Sequence, residues 1–255
     1  MEPKPLCGFV AATNIADIHS EWECDKDGNY VTNPCGDPQW PGVICTYETD
    51  IIYELTFFQD PIVGTLPSSL SELTGLISLS IFESSLFSSI PEEYTKLSKL
   101  NTLMLTQNQL TGSLPSDMGL LSNLYLISLD YNYISQAIPT SISEISALSY
   151  FIVNDNLITG DIPDLFQDEL INLLLENNQL SGTIPESISN MVNGGFLKLD
   201  NNNIEGTIPT GIASVTALKV LKLQNTFLSK LDNLFVDCIF IYIYILTTVF
   251  FVFHV

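Results

Sequence analysis

Seven prolines recur at a nearly fixed distance along this chain, and their period limits the fold more than any other feature. They are Pro67, Pro91, Pro115, Pro139, Pro163, Pro185 and Pro209. Subtracting each number from the next gives steps of 24, 24, 24, 24, 22 and 24 residues. A repeat of this length, sustained over most of the chain, predicts a solenoid of stacked coils.

Each repeat contains apolar residues at two different spacings. Before Pro115, the core positions Leu103 and Leu105 are two residues apart, a spacing that indicates a short strand. After a proline the spacing changes to every third residue, as in Met118, Leu121 and Leu124, which indicates a 3₁₀-like turn. One coil cannot bury its own leucines, so stacked coils must share a continuous core, with parallel strands about 4.7–4.9 Å apart. The predicted fold class is α/β, with a parallel sheet on the concave face and short helical returns.

An asparagine recurs in each repeat where the chain leaves the strand and turns inward. Backbone groups at such a turn have no ladder partner, and an unpaired buried group is costly. An amide side chain both donates and accepts, so a stack of asparagines would satisfy successive turns. These structural asparagines are Asn108, Asn132, Asn156, Asn178 and Asn202.

Together these positions resemble the plant-type leucine-rich repeat family, which includes the ectodomains of receptor-like proteins and receptor-like kinases and the polygalacturonase inhibitors. The family pattern is LxxLxxLxLxxNxLxGxIPxxLxx, and the match runs over about residues 44–228. The resulting domain prediction has an N-terminal cap at 1–45, about seven repeats and a partial one at 46–229, and a hydrophobic tail at 230–255.

Five positions depart from that pattern. Asp60 and Ser84 stand where asparagine is expected. Ser88 and Gln136 occupy glycine positions, and Gly194 replaces a core leucine. We expect slight irregularity in the first two repeats and weaker packing near Gly194.

The stretch "PCGDPQWPGVIC" at residues 34–45 resembles the amino-terminal cap of the same family. That resemblance implies a disulfide between Cys35 and Cys45, with Trp40 packed over the first coil. Cys7 and Cys24 could pair with each other, but spacing does not determine connectivity. A disulfide-bonded cap indicates an oxidising compartment.

Charge and residue usage exclude several functions. With 8 Lys and Arg against 29 Asp and Glu, the net charge is −21, which argues against nucleic-acid binding. The two histidines, His19 and His254, lie outside the repeats, so we predict no catalytic residues and no enzyme. "DKDGN" at 25–29 begins like a calcium loop, but its twelfth position is Gly36 rather than glutamate. No metal or cofactor is predicted.

Strand residues that alternate with the core leucines are predicted to face the concave side. Several of them are apolar and would form a contiguous patch from the third to the seventh repeat, a pattern typical of contact surfaces. The alternative is that these residues only pack along the sheet. The predicted ligand-binding residues are Met104, Thr106, Leu126, Ser128, Asp130, Tyr150, Ile152, Asn154, Leu174, Glu176, Phe196 and Lys198.

The two ends of the chain fit the repeats poorly. The start, "MEPKPLCGFV", lacks the charged-then-apolar run of a secretory signal, so either the amino terminus is incomplete or the route to the surface is unusual. Residues 235–253 form a marginal membrane span. The alternatives for this tail are a truncated or misread gene product, or a strand that covers the last coil.

The function predicted from the resemblance is a non-enzymatic recognition module, a receptor-like ectodomain that presents its concave sheet to a peptide or protein. It would be a single-pass membrane protein with extracellular repeats and would signal through a co-receptor. Two alternatives remain. One is a secreted inhibitor of a cell-wall-degrading enzyme, and the other is a structural surface protein.

Overall fold

A computed structural model of the chain describes residues 4–47 and 49–230. Two short helices come first, α1 (Pro5–Ala12) and α2 (Ile15–Ile18). Seventeen strands follow in the described ranges: β1 (Val43–Cys45), β2 (Ile52–Phe58), β3 (Val63–Thr65), β4 (Ser78–Phe82), β5 (Ser85–Ser88), β6 (Thr102–Met104), β7 (Gln109–Leu110), β8 (Leu126–Ser128), β9 (Ser135–Ala137), β10 (Tyr150–Ile152), β11 (Leu157–Asp161), β12 (Asn172–Leu174), β13 (Gln179–Ser181), β14 (Phe196–Lys198), β15 (Glu205–Thr207), β16 (Val220–Lys222) and β17 (Phe227–Lys230).

Each repeat contributes one strand to a nine-stranded sheet in the order β1-β2-β4-β6-β8-β10-β12-β14-β16. Strand β1 comes from the cap and pairs with β2 in the antiparallel sense, whereas all later neighbours are parallel. The register is in step, so that equivalent core residues such as Leu103 and Ile127 pair across neighbouring strands. The solenoid predicted from the proline period is confirmed.

The remaining strands form three smaller sheets where the coils turn away from the large sheet: β3-β5-β7, β9-β11-β13 and β15-β17. Short 3₁₀ helices close most repeats, as the three-residue spacing predicts. They span Ser68–Glu72, Glu92–Lys96, Met118–Leu120, Thr140–Glu144, Glu186–Asn190 and Thr210–Ser214.

The repeat that follows Pro163 departs from this plan. Within the described part of the chain it has no 3₁₀ helix, because this repeat is two residues shorter than its neighbours. Its apolar residues still reach the core, and Leu165, Phe166 and Leu170 are buried. The coils therefore still stack at this repeat, although its return segment lacks the regular 3₁₀ turn.

The predicted asparagine stack is present and links neighbouring coils. Asn156 is typical: its Nδ2 donates to the carbonyl oxygens of Leu129 and Val153 at 3.0 and 3.2 Å. Its Oδ1 accepts from the backbone N–H of Ile134 in the preceding repeat at 2.9 Å. The Leu129 oxygen also accepts from Asn132, so one carbonyl is shared by two rungs of the stack. The asparagines thus satisfy the turns and couple each repeat to the one before it.

Two of the five positions that depart from the family pattern have a strained backbone. Ser88 and Gln136 stand at glycine positions and have φ angles of 80° and 68°. Glycine adopts this left-handed region freely, as Gly182 does in a regular repeat with φ of 67°, but other residues pay about 1–2 kcal/mol. The coil geometry therefore overrides the residue preference at both sites.

The cap contains two disulfides, Cys7–Cys24 and Cys35–Cys45. The Cys35–Cys45 bond is the pairing that the family resemblance implies. The Cys7–Cys24 bond is the pairing that the spacing of the cysteines did not determine. Trp40 is buried in the same hydrophobic core as Leu55 of the first coil, and a second tryptophan, Trp22, lies beside it. Trp22 makes the ring contact with Phe57 of β2, at 5.6 Å between centroids, and Trp40 stacks on the other aromatic, Trp22, at 4.8 Å. Trp22 lies two residues before Cys24, which the disulfide joins to Cys7 of α1.

Over residues 4–47 and 49–230, the structure contains no helix with the length and apolar character needed to span a membrane. The span predicted at 235–253 lies outside the described residues. The domain boundaries at 45 and 229 remain predictions.

Candidate functional site

The twelve predicted ligand-binding residues lie on or directly after the strands of the large sheet, on the face opposite the core. Strand pairing places Leu126 beside Tyr150, and Ile152 beside Leu174. Tyr150 and Ile152 project from the same face of β10 because side chains alternate along a strand. We call these four residues the apolar stripe. Met104 and Phe196 are separated from it by Ser128 and Asn172, so the apolar surface is narrower than the sequence predicts.

The residues of the apolar stripe are half-buried rather than fully exposed. The strands stand close together, and each side chain is partly covered by its neighbours along the sheet. Tyr125, just before β8, adds an exposed ring at the edge of the stripe, 5.2 Å from the Tyr150 ring in an edge-on arrangement. The surface offered to a partner is therefore shallow and firmly held.

A polar cluster borders the stripe in the third and fourth repeats. Asp130 Oδ1 accepts from Thr106 Oγ1 and from Ser128 Oγ, both at 2.8 Å, and the two hydroxyls lie 2.9 Å apart. Three of the predicted residues are thus bonded to one another. Their hydrogen bonds hold Asp130 in a fixed position at the edge of the sheet.

A second polar cluster lies on the same side of the stripe, in the later repeats. We call Glu176, Asp200 and Gln224 the carboxylate cluster. Lys198 Nζ lies 3.3 Å from Glu176 Oε1, and Gln224 Nε2 donates to Asp200 Oδ2 at 3.2 Å. Burial raises the pKa of the Glu176 carboxyl, and the Lys198 ammonium offsets part of that rise. Burial also raises the pKa of Asp200, against the opposing effect of Lys222 and Lys198.

Sequence reasoning missed a third feature, a ladder of side chains along one edge of the concave sheet. Asn177 Nδ2 donates to Asp155 Oδ1 at 2.8 Å, and Asn201 Nδ2 donates to Asn177 Oδ1 at 2.6 Å. Asn225 continues the series by donating to Asn201 Oδ1 at 2.5 Å. We call these four residues the amide ladder. The signal in the sequence was an aspartate or asparagine directly before each of Asn156, Asn178 and Asn202.

Comparison with known proteins shows which proteins the chain is similar to. A family model described as "Leucine Rich Repeat" matches residues 169–191. A solved structure of the plant peptide hormone receptor RGFR1 in complex with RGF2 is 31% identical, with a TM-score of 0.62, and the match covers 64% of this chain and 27% of the receptor chain. These findings support the resemblance of the chain to plant-type leucine-rich repeat proteins. A search of curated protein sequences gave no significant match.

Two further solved structures are similar to this chain. The ectodomain of the receptor kinase GASSHO1/SCHENGEN3 from Arabidopsis thaliana, in complex with CASPARIAN STRIP INTEGRITY FACTOR 2, is 26% identical with a TM-score of 0.73 and is matched over 83% of this chain and 25% of its own. A plant ice-binding protein is 26% identical with a TM-score of 0.71, over 88% of this chain and 70% of its own. The chain thus spans about a quarter of the length of the two receptor chains.

Proposed function

We propose that this leucine-rich repeat protein is a non-enzymatic recognition module that binds a peptide along its concave sheet. The observation that carries the proposal is the apolar stripe, a contiguous set of half-buried apolar side chains with polar clusters along one border. Apolar contacts flanked by fixed polar groups are typical of sites that bind an extended ligand with a defined orientation. One similar structure is that of a plant peptide hormone receptor in complex with RGF2, which supports the same use of the surface here.

The proposal includes an extracellular location for the repeats. Two disulfides hold the cap, and such bonds persist in oxidising compartments. Signal transfer would pass through a co-receptor, as part of a receptor-like protein. A secreted inhibitor would use the same concave surface against a protein instead of a peptide.

The proposal predicts that charges placed in the stripe weaken peptide binding. Peptides would be selected from a displayed random library against the full chain, and their affinity measured for the double variant Tyr150→Asp, Ile152→Asp. We expect a loss of about tenfold or more, because two buried carboxylates would replace apolar contacts at the centre of the site. A thermal unfolding curve would establish that the variant is folded.

The matched control is Leu157→Asp, which alters an exposed apolar residue of the same repeat in β11, away from the large sheet. Its affinity should equal that of the wild type. Unchanged affinity in the double variant would contradict the proposal. Failure to select any saturable peptide would favour the structural role.

The amide ladder favours a second candidate function, ice binding. It presents three amides and one carboxylate at the regular spacing of neighbouring strands, about 4.7–4.9 Å, and Asn177 and Asn225 are exposed. A repeating row of hydrogen-bonding groups suits the repeating surface of ice, and one similar structure is an ice-binding protein.

Ice binding predicts that the full chain inhibits ice recrystallisation and that the double variant Asn177→Leu, Asn225→Leu loses most of that effect. Asn203→Leu is the control, since Asn203 is exposed but lies off the ladder. No inhibition by the full chain at any concentration would exclude this candidate.

A further inference from the structure

Two tyrosine rings are held against each other where the fourth and fifth repeats meet on the large sheet. The ring centroids of Tyr125 and Tyr150 lie 5.2 Å apart, with 65° between the ring planes. The backbone fixes this arrangement, because the N–H of Tyr150 donates to the carbonyl oxygen of Tyr125 at 3.0 Å. Within residues 4–47 and 49–230 no other two tyrosine rings are in contact.

The pair is open to a reagent in solution, and its two hydroxyl groups face each other. Tyr125 is 42% exposed, and Tyr150 is half-buried. The pKa of the Tyr125 hydroxyl is raised, first of all by its hydrogen bond to Tyr150. The ring carbons next to each hydroxyl are the carbons at which tyrosyl radicals couple. Because the hydroxyls face each other, these ortho carbons lie on the facing sides of the two rings.

We infer that Tyr125 and Tyr150 form a site of oxidative modification, at which a haem peroxidase with hydrogen peroxide joins the two rings as dityrosine. Each phenol gives up one electron and its hydroxyl proton, which produces two phenoxyl radicals. One ortho carbon of each ring then forms a new carbon–carbon bond, and the hydrogen on that carbon moves to the oxygen to restore the phenol. The two electrons and two protons reduce one hydrogen peroxide to two waters.

Contact between the rings favours coupling within one molecule over coupling between molecules. Holding two reactants together converts a bimolecular step into a unimolecular one. Tyr131 and Tyr133 are more exposed than Tyr125, but neither has a ring contact with another tyrosine in the described part of the chain. The disulfides of the cap indicate an oxidising compartment, where a peroxide oxidant can act.

The new bond would link two neighbouring repeats at the border of the apolar stripe. It closes a loop between residues 125 and 150, and a covalent cross-link of this kind stabilises a fold mainly by restricting the unfolded chain. The oxidised protein should therefore unfold at a higher temperature than the untreated protein.

The test treats the full chain, at low concentration, with a haem peroxidase and hydrogen peroxide. The monomer is then isolated and digested with proteases that cut after glutamate and before aspartate. These cuts place Tyr125 in the peptide 117–129 and Tyr150 in the peptide 145–154, apart from every other tyrosine. Mass spectrometry should find these two peptides joined as the main dityrosine product, with a combined mass lower by two hydrogen atoms.

Conservative variants locate the site. Tyr125→Phe and Tyr150→Phe keep the ring but cannot form the phenoxyl radical, so each should lower the yield of dityrosine in the monomer about tenfold or more. The matched control Tyr131→Phe removes a phenol that is more exposed than Tyr125, and it should leave the yield unchanged. The wild type unfolded in urea has the same tyrosines without the ring contact, and it should also lose the product.

Dityrosine found only between molecules, or a monomer product that joins other tyrosines instead, would overturn the inference. An undiminished yield in Tyr125→Phe or in urea would contradict it as well, because the folded pair would then not be the site. These outcomes are separate from failure of the proposed function, which is tested by peptide affinity in the double variant at Tyr150 and Ile152.

Discussion

Replacing Asn156 with alanine is expected to lower the free energy of unfolding by about 2–4 kcal/mol. The buried N–H of Ile134 would lose its acceptor, and three carbonyl oxygens would lose one of their donors. Those oxygens do not become fully unpaired, since Leu129 and Val153 also accept from the asparagines of neighbouring repeats. The unpaired N–H and the void left by the amide therefore account for most of the loss.

Urea unfolding followed by circular dichroism measures this effect. Asn203→Ala is the matched control, because Asn203 is exposed and lies next to the structural Asn202. It should change the free energy by less than about 0.5 kcal/mol. A loss below about 1 kcal/mol for Asn156→Ala would mean that the stack contributes little to the coupling between repeats.

The cap should be equally sensitive at Trp22. Trp22→Ala is expected to cost about 3–5 kcal/mol, because it removes a fully buried ring from the junction between the cap and the first coil. The Trp22 ring contacts Phe9, Trp40 and Phe57. Its Nε1 also donates to the carbonyl oxygen of Pro41 at 3.0 Å.

The same unfolding measurement applies to this variant. Tyr47→Ala is the control, since Tyr47 lies two residues after the cap and its side chain is fully exposed, and it should have no measurable effect. If Trp22→Ala unfolds at the same denaturant concentration as the wild type, the aromatic cluster is not what joins the cap to the solenoid.

The features that recur in every repeat were predictable from the sequence. The proline period, the alternating leucines and the asparagine stack each obey a local geometry that is repeated coil after coil. For example, Asn132 and Asn156 occupy the same place and make the same bonds. Such positions can be predicted from the sequence because the same residue type recurs at the same place in successive repeats.

The features that occur once were not predictable. Trp22 contacts Phe57 from a segment whose disulfide pairing the sequence does not determine. The half-burial of Ile152 and Leu174 depends on the sizes of side chains on neighbouring strands. Whether a carboxylate oxygen of Glu176 or Asp200 has a hydrogen-bond donor depends on the side chains of neighbouring repeats. These properties arise between repeats, where the sequence pattern of a single repeat carries no information.

The most direct test of peptide recognition by the concave sheet is an NMR titration of the full chain with methyl-labelled isoleucine and leucine. A library-selected peptide is predicted to shift the methyl signals of Ile152 and Leu174 in a saturable manner and to leave those of Leu157 in place. Saturable shifts at Leu157 with no change at Ile152 and Leu174 would place the peptide off the large sheet and contradict the proposed function.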